Sequence, residues 1–186
     1  MTDEAPALET ADGGVGKVRP GSPPPADPVL STLHEAAPAS RFERFEPGNG
    51  PAQDVVIVDR AGYHDLVSAA HSERFDTFAD LCGVDYLGRK PRFEVVLNVV
   101  SHPMRRRLRI RVGIPGDNPT VATVSDVYPG ANFFEREAYD LFGIVFEGHP
   151  DLTRILMPDD WEGHPLRKDY AVGSVPVQFK GAPHAS

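Results

Sequence analysis

The chain has little cysteine, little positive charge and no long apolar run, and each shortage excludes a class of protein. Its 186 residues include one cysteine, so Cys82 can form no internal disulfide and cannot supply the several thiolates of an iron–sulfur cluster. The formal net charge of −8 disfavours nucleic-acid binding, because lysine and arginine supply most of that affinity. No run approaches the roughly 18 consecutive apolar residues of a membrane helix. These features predict a soluble, intracellular chain that reaches a membrane only through partners.

The motifs of common enzymes are missing as well. The sequence contains no Walker loop, no dinucleotide-binding fingerprint and no nucleophile elbow. By residue type, metal ligands could come from His149, Asp151, Asp159, Asp160 and His164, but their spacing fits no standard site. Each histidine precedes a proline, which favours a role in orienting a turn. The sequence therefore predicts no metal site.

Proline is concentrated at the N-terminus, where 9 of the 19 prolines fall within residues 1–51. Such composition buries little apolar surface and cannot offset the entropy lost on ordering. We therefore expect residues 1–51 to be disordered or ordered by a partner, with a short helix near Leu30–Ala37. The folded domain is predicted to span residues 52–147.

Several segments are predicted to be strands. Residues 55–58 are β-branched, and residues 92–101 form a strong strand. In residues 105–112, arginines alternate with Leu, Ile and Val, and a short turn joins this segment to the preceding strand as a hairpin. Another short strand is predicted at 120–124. The expected fold class is α+β, a small, mostly antiparallel sheet with helices packed on it.

Apolar residues at helical spacing predict the first helices. One helix is expected at 60–72, capped by Asp59, with Tyr63, Leu66, Val67 and Ala70 on its buried face. The same spacing in Phe75, Phe78, Ala79 and Cys82 predicts a shorter helical segment that buries the thiol.

A further helix is predicted over 132–142. Asn132 and Glu135 are spaced as in a capping box, and Gly143 suits the position after the last turn. Phe134, Ala138 and Leu141 would form its core stripe. Three carboxylates, Glu135, Glu137 and Asp140, share this helix, and a pair of them would suit general acid–base catalysis in a stand-alone hydrolase. Capping, an ion pair between Arg136 and Asp140 and a charged outer face explain them better.

Beyond the predicted domain, residues 148–186 are predicted to form an extended arm that docks on partners. Prolines divide this segment, and Val175, Val177 and Phe179 alternate in a way that suits addition of a strand to another chain. Trp161 lies in an acidic turn. It could cover the edge of the core or anchor an interface, and the residues leave both interpretations open.

The run 135–170 also resembles a known family. It contains Glu135-Arg136-Glu137, Asp140 and Leu141-Phe142, then FGIVFEGHPDL at 142–152 and RILMPDDWEGHPLRKDY at 154–170. This pattern resembles the signature of the C subunit (30-kDa type) of bacterial type-I NADH–quinone oxidoreductase, respiratory complex I. Two positions depart from the family pattern, Thr153 in place of Arg and Ala171 in place of Pro.

The resemblance implies a non-catalytic structural subunit of a translocase. The complex passes electrons from NADH to quinone, coupled to proton translocation, with FMN, iron–sulfur clusters and quinone on other subunits and no cofactor in this chain. The implied partners are the D (49-kDa type), B and I subunits, on the cytoplasmic side of the cell membrane. The alternative is the homologous subunit of a membrane-bound hydrogenase or of a ferredoxin- or F420-linked complex.

The residues expected to contact partners are the charged and aromatic side chains of this run and the alternating apolar residues after it. They are Glu135, Arg136, Glu137, Asp140, His149, Asp151, Arg154, Asp159, Asp160, Trp161, His164, Arg167, Lys168, Asp169, Tyr170, Val175, Val177 and Phe179.

Overall fold

A computed structural model describes residues 16–18, 27–47 and 52–171 of the chain. In chain order the elements are β1 (Gly16–Val18), α1 (Pro28–Ala36), β2 (Arg41–Pro47), β3 (Gln53–Val58), α2 (Tyr63–Ser72), β4 (Thr77–Asp85), β5 (Phe93–Ser101), β6 (Arg106–Ile114), β7 (Thr120–Ala122), α3 (Ala131–Phe142) and β8 (Val145–Glu147).

The main sheet has six strands in the order β1-β2-β3-β6-β5-β4. Its pairs are antiparallel except β3 with β6, and β7 and β8 form a separate parallel pair. The predicted α+β class is confirmed. The alternating pattern predicted in residues 105–112 also holds, because Leu108, Ile110 and Val112 of β6 point into the core.

The helices α1 and α2 contact each other, and their apolar residues share one core with those of the sheet. In α2, the four residues predicted for the buried face are all inaccessible to solvent. The helix starts at Tyr63 rather than at residue 60. The Asp59 carboxylate accepts a hydrogen bond from Gly62 N at 2.8 Å, so it closes the turn before the helix instead of capping it.

Residues 27–47, part of the predicted N-terminal segment, contribute a helix and a strand to the domain. The Asp27 carboxylate caps α1 by accepting from Val29 N at 3.0 Å, and β2 pairs along β3. The expected short helix near Leu30–Ala37 is therefore present, as Pro28–Ala36. The domain begins earlier than the sequence predicted, because pairing with β3 and burial of Leu30 and Leu33 stabilise this segment.

The segment predicted as a short helix around residues 75–82 is strand β4, so that prediction was wrong. Apolar spacing fitted a helix, but pairing with β5 over residues 77–85 decides the conformation. Leu81 faces the core opposite Leu97, and Cys82 lies on the other face of the sheet, where its side chain is exposed. The prediction of a buried thiol was wrong for the same reason.

Helix α3 runs from Ala131 to Phe142 and ends as predicted, with Gly143 in the left-handed conformation at φ 72°. Its start differs, because Gly130 is the capping residue and no side chain caps the helix. Of the expected core stripe, Ala138 and Leu141 are buried and Phe134 packs partly buried against the core. Among the described residues, no helix has the length and apolar character needed to cross a membrane.

Candidate partner-docking site

Asp140, in the last turn of α3, is fully buried and holds the beginning of the arm. Its Oδ1 accepts from Arg154 Nη1 at 2.6 Å. Its Oδ2 accepts from three consecutive backbone amides, those of Ile155 at 3.1 Å and of Leu156 and Met157 at 2.8 Å each. Burial alone would raise the pKa of Asp140, but these amides and the guanidinium together hold it below its usual value. The sequence had paired Asp140 with Arg136, and that prediction was wrong.

The end of α3 is covered by the arm. The last carbonyls of a helix have no partner within it, and here three of them accept from arm donors: Asp140 O from His164 Nδ1 at 2.9 Å, Leu141 O from Leu166 N at 3.0 Å and Phe142 O from Arg167 Nε at 2.5 Å. A cation at this end also interacts favourably with the helix dipole. Glycine suits position 143, because its φ of 72° is left-handed and a Cβ would lie 2.6 Å from His164 Nε2.

A second buried carboxylate, Asp85 at the end of β4, holds the arm at Lys168. It accepts from Arg92 Nε at 3.0 Å and Nη2 at 2.8 Å, and from the backbone amide of Lys168 at 2.9 Å. The same guanidinium donates to both oxygens of Asp169 at 2.9 and 2.7 Å. Hydrogen bonds from Arg92 hold the pKa of Asp85 well below its usual value. Arg92 therefore fastens the arm to the edge of the sheet.

We expect Asp169→Ala to loosen this part of the arm without unfolding the domain. Asp169 is half exposed, and exposed ion pairs contribute at most about 1 kcal/mol. Amide hydrogen exchange at Lys168, corrected for the intrinsic rate, should therefore become about fivefold faster. Asp117→Ala changes an exposed carboxylate elsewhere and should leave this rate unchanged. An unchanged rate in Asp169→Ala would show that the pair does not hold the arm.

Glu135 is fully buried and faces inward from α3 rather than capping it. Its Oε2 accepts from Thr123 Oγ1 at 2.5 Å and its Oε1 from Val124 N at 2.8 Å. His149 Nε2 lies 4.0 Å from Oε2 and donates to Asn132 O at 3.2 Å. Burial raises the pKa of Glu135 to about 7. The predicted capping box was wrong, because the helix turns positions 131, 135 and 138 towards the core.

The residues predicted to contact partners fall into distinct groups. Glu135 and Asp140 have internal partners and expose no side chain to a partner. Four basic side chains of the run are partly buried and form hydrogen bonds with the domain: His149, Arg154, His164 and Arg167. Arg136 donates hydrogen bonds to Thr153 and to the carbonyl of Arg154. Exposed to solvent are Glu137, Asp151, Asp159, Asp160 and Lys168, and Asp169 is half exposed. Val175, Val177 and Phe179 lie outside the described residues.

The aromatic residues of the run are half-buried. Tyr170 Oη donates to Glu162 O at 3.3 Å. Trp161 Nε1 is buried and has no hydrogen-bond partner among the described residues. The indole nitrogen therefore lies against protein, and both interpretations of Trp161 stay predictions. No group of His, Cys, Asp and Glu in the described part of the chain could hold a metal ion.

Sequence reasoning missed the anchors Asp85 and Arg92 and the outward apolar residues of the arm. Ile155, Leu156 and Leu166 are 39%, 60% and 51% exposed. Asp85 and Lys168 are 83 residues apart in the chain, so no local spacing links them. The sequence held one signal for these exposed side chains, the apolar residues of ILMP at 155–158, which follow neither a helical nor a strand period.

The fold and the site define an α+β protein whose C-terminal arm is fastened along one helix and presents apolar side chains to solvent. The model of the family described as "Respiratory-chain NADH dehydrogenase, 30 Kd subunit" matches residues 56–175. The chain belongs to this family. It is 50% identical over 175 residues to the C subunit of the NADH-quinone oxidoreductase of Acidothermus cellulolyticus, covering 88% of this chain and 89% of that protein.

Other relatives are matched over less of their length. The C subunit of the same enzyme from Roseiflexus sp. (strain RS-1) is 56% identical over 106 residues, which cover 57% of this chain and 61% of that protein. The chain thus spans about three fifths of the length of this relative.

Two solved structures are similar. The trypsin-resistant fragment (1-134) of Nqo5 has a TM-score of 0.56 and 38% identity, covering 67% of this chain and 98% of the fragment. A chain of the archaeal membrane-bound sulfane sulfur reductase complex has a TM-score of 0.65, covering 77% of this chain and 84% of that chain, but is 23% identical, so it shares the fold alone.

Proposed function

We infer that this chain is a structural subunit of NADH–quinone oxidoreductase that braces neighbouring subunits and carries no redox group itself. The observation that supports this most is the arm, which buried carboxylates fasten to the domain while Leu156 and Leu166 stay exposed. In this proposal the complex passes electrons from NADH to quinone, coupled to proton translocation. FMN, iron–sulfur clusters and quinone reside on other subunits, and the chain docks on the D, B and I subunits.

The proposed role depends on rigidity rather than on reactivity. Electron transfer and quinone reduction require fixed distances between neighbouring subunits, and an arm held at two separate points can maintain them. Asp140 holds residues 154–157 through four hydrogen bonds to its carboxylate, and Asp85 with Arg92 holds residues 168 and 169. The chain would sit on the cytoplasmic side of the cell membrane, attached through its partners.

The alternative, a subunit of a membrane-bound hydrogenase or of a ferredoxin- or F420-linked complex, has no specific support. One chain of the archaeal sulfane sulfur reductase complex shares the fold at 23% identity, and a shared fold does not establish a shared function. The relatives of higher identity are subunits of NADH-quinone oxidoreductase.

Truncation after Met157 tests the proposal. This truncation keeps all four donors to the Asp140 carboxylate, and Asp85 keeps Arg92, so the domain is expected to stay folded. Circular dichroism and thermal unfolding would check the fold. The tagged full-length chain should copurify with flavin- and iron–sulfur-bearing chains that oxidise NADH, whereas the truncated chain should not. Unchanged assembly and quinone reduction with the truncated chain would contradict the proposal, as would NADH oxidation by the isolated full-length chain.

A further inference from the structure

The charges of the arm are sorted by sign. Its arginines turn inward, where Arg154 donates to Asp140 and Arg167 to the carbonyl of Phe142. Asp169 pairs with Arg92, whereas four other carboxylates of the arm, Asp151, Asp159, Asp160 and Glu162, are exposed. Among the described residues, none of these four forms an ion pair, and Asp151 and Glu162 make hydrogen bonds through their backbone atoms. The exposed charge on the described part of the arm is therefore acidic, apart from Lys168.

Exposed apolar side chains lie close to these carboxylates in the sequence, on backbone that the domain holds in place. The backbone amides of Ile155 and Leu156 are bound to Asp140 Oδ2, and that of Leu166 to Leu141 O. These bonds fix the backbone, so the side chains remain 39%, 60% and 51% exposed. Fixing a loop in its binding conformation reduces the ordering cost of association.

We propose that Ile155, Leu156 and Leu166, with Asp159, Asp160 and Glu162 around them, form a preorganised arm face whose partner is a protein surface with an apolar centre and a lysine- or arginine-rich rim. The proposal rests on the proposed docking function and specifies the chemistry of the partner. An apolar centre with a polar rim is the usual anatomy of a protein interface. Opposite charges at the rim speed association and select the partner. An acidic face would be repelled by an anionic membrane surface.

Two changes to the arm face separate its apolar and electrostatic parts. With the variant chain coexpressed with the other subunits and purified through its tag, Leu156→Asp should reduce copurifying subunits about tenfold or more at every salt concentration. The double variant Asp159→Lys/Asp160→Lys should reduce them about tenfold at low salt. This loss should shrink at about 0.5 M salt, where charges are screened within a few ångströms.

Matched changes away from the arm control for general effects. Phe133, in the first turn of α3, is 60% exposed, the same fraction as Leu156, so Phe133→Asp introduces the same charge at a matched exposure. Asp117→Lys reverses an exposed carboxylate elsewhere. Both controls should assemble as the unchanged chain does, and thermal unfolding would confirm that every variant folds.

The outcomes distinguish this proposal from the proposed function. If truncation after Met157 releases the chain but the charge reversal has no effect or strengthens retention at low salt, the partner chemistry is wrong and the docking function stands. Full retention of Leu156→Asp would overturn the apolar centre. Two other occupants are tested with the isolated chain. If the isolated chain dimerises in sedimentation and Leu156→Asp abolishes the dimer, the face binds a second copy of the chain. If the isolated chain binds phosphatidylcholine vesicles and Leu156→Asp abolishes that binding, the face binds lipid. Either result would overturn the proposal.

Discussion

Asp140→Ala is expected to lower the free energy of unfolding by about 3–5 kcal/mol, the largest effect among these predictions. The substitution leaves a mostly buried guanidinium, that of Arg154, and three amides without their acceptor, and breaking a buried charged pair by removing one partner costs about this much. Urea unfolding at pH 7 would measure the change as a lower midpoint. Glu137→Ala removes an exposed carboxylate from the same helix and should cost no more than about 0.5 kcal/mol.

Asp140→Asn separates the charge of this residue from its shape. An amide has one acceptor oxygen, so it would present its own donor either to Arg154 or to the three arm amides. We therefore expect Asp140→Asn to lose most of the stability that Asp140→Ala loses. The amides of residues 155–157 should also exchange with solvent much faster in both variants. Wild-type stability in Asp140→Asn would show that packing, not the hydrogen-bonded carboxylate, holds the arm.

The second large effect is a pH dependence that Glu135→Gln should remove. The folded state raises the pKa of Glu135 from 4.5 to about 7, so between these values the folded chain binds a proton that the unfolded chain has lost. The stabilisation is complete below about pH 4.5 and is lost as pH rises through about 7. A shift of this size corresponds to roughly 3 kcal/mol.

Glutamine can keep both hydrogen bonds of this site. Its oxygen can accept from Val124 N, and its amide can donate to Thr123 Oγ1, whose hydroxyl can then donate to Ser125 Oγ at 2.8 Å. The variant should therefore be more stable than the unchanged chain at pH 8 and show a flatter profile from pH 4.5 to 7. Glu147→Gln changes an exposed carboxylate and should leave the profile as it was. Equal slopes for Glu135→Gln and the unchanged chain would contradict the assignment.

A separate loss of stability is expected at lower pH. The folded state lowers the pKa of both Asp85 and Asp140 below their ordinary value of 3.8. Their contribution is thus present above that pH and is lost as pH falls through the folded values. The window lies below that of Glu135, so unfolding curves against pH can separate the two effects.

The sequence predicted correctly those helices and strands whose apolar spacing fits only one kind of secondary structure. The buried face of α2 and the alternation in β6 follow from periodicity, and Gly143 follows from the positive φ that the end of α3 requires. Strand β4 was missed because its apolar residues also fit a helical spacing. The segment becomes extended because its backbone pairs with the free edge of β5, and that pairing exists only in the folded chain.

The buried carboxylates could not be predicted from periodicity, because acidic residues are almost always placed outside. Glu135 is buried because Thr123 and Val124 reach it from a different segment, and Asp140 because the arm folds back to supply its donors. Much of the charge that seemed available to partners therefore holds the arm in place. The outward face is formed by the residues that these contacts leave exposed.

The sequence by itself determined the α+β class, the main strands and the family, because period-2 and period-3.6 patterns are local and the run 135–170 is specific in its residue types. Only the tertiary structure decided which charges of that run face inward. That outcome depends on donors and acceptors brought together across long stretches of chain, such as Asp85 with Lys168, 83 residues apart. Their burial makes each unpaired group costly, and this cost fixes the arm and leaves Leu156 and Leu166 exposed to solvent.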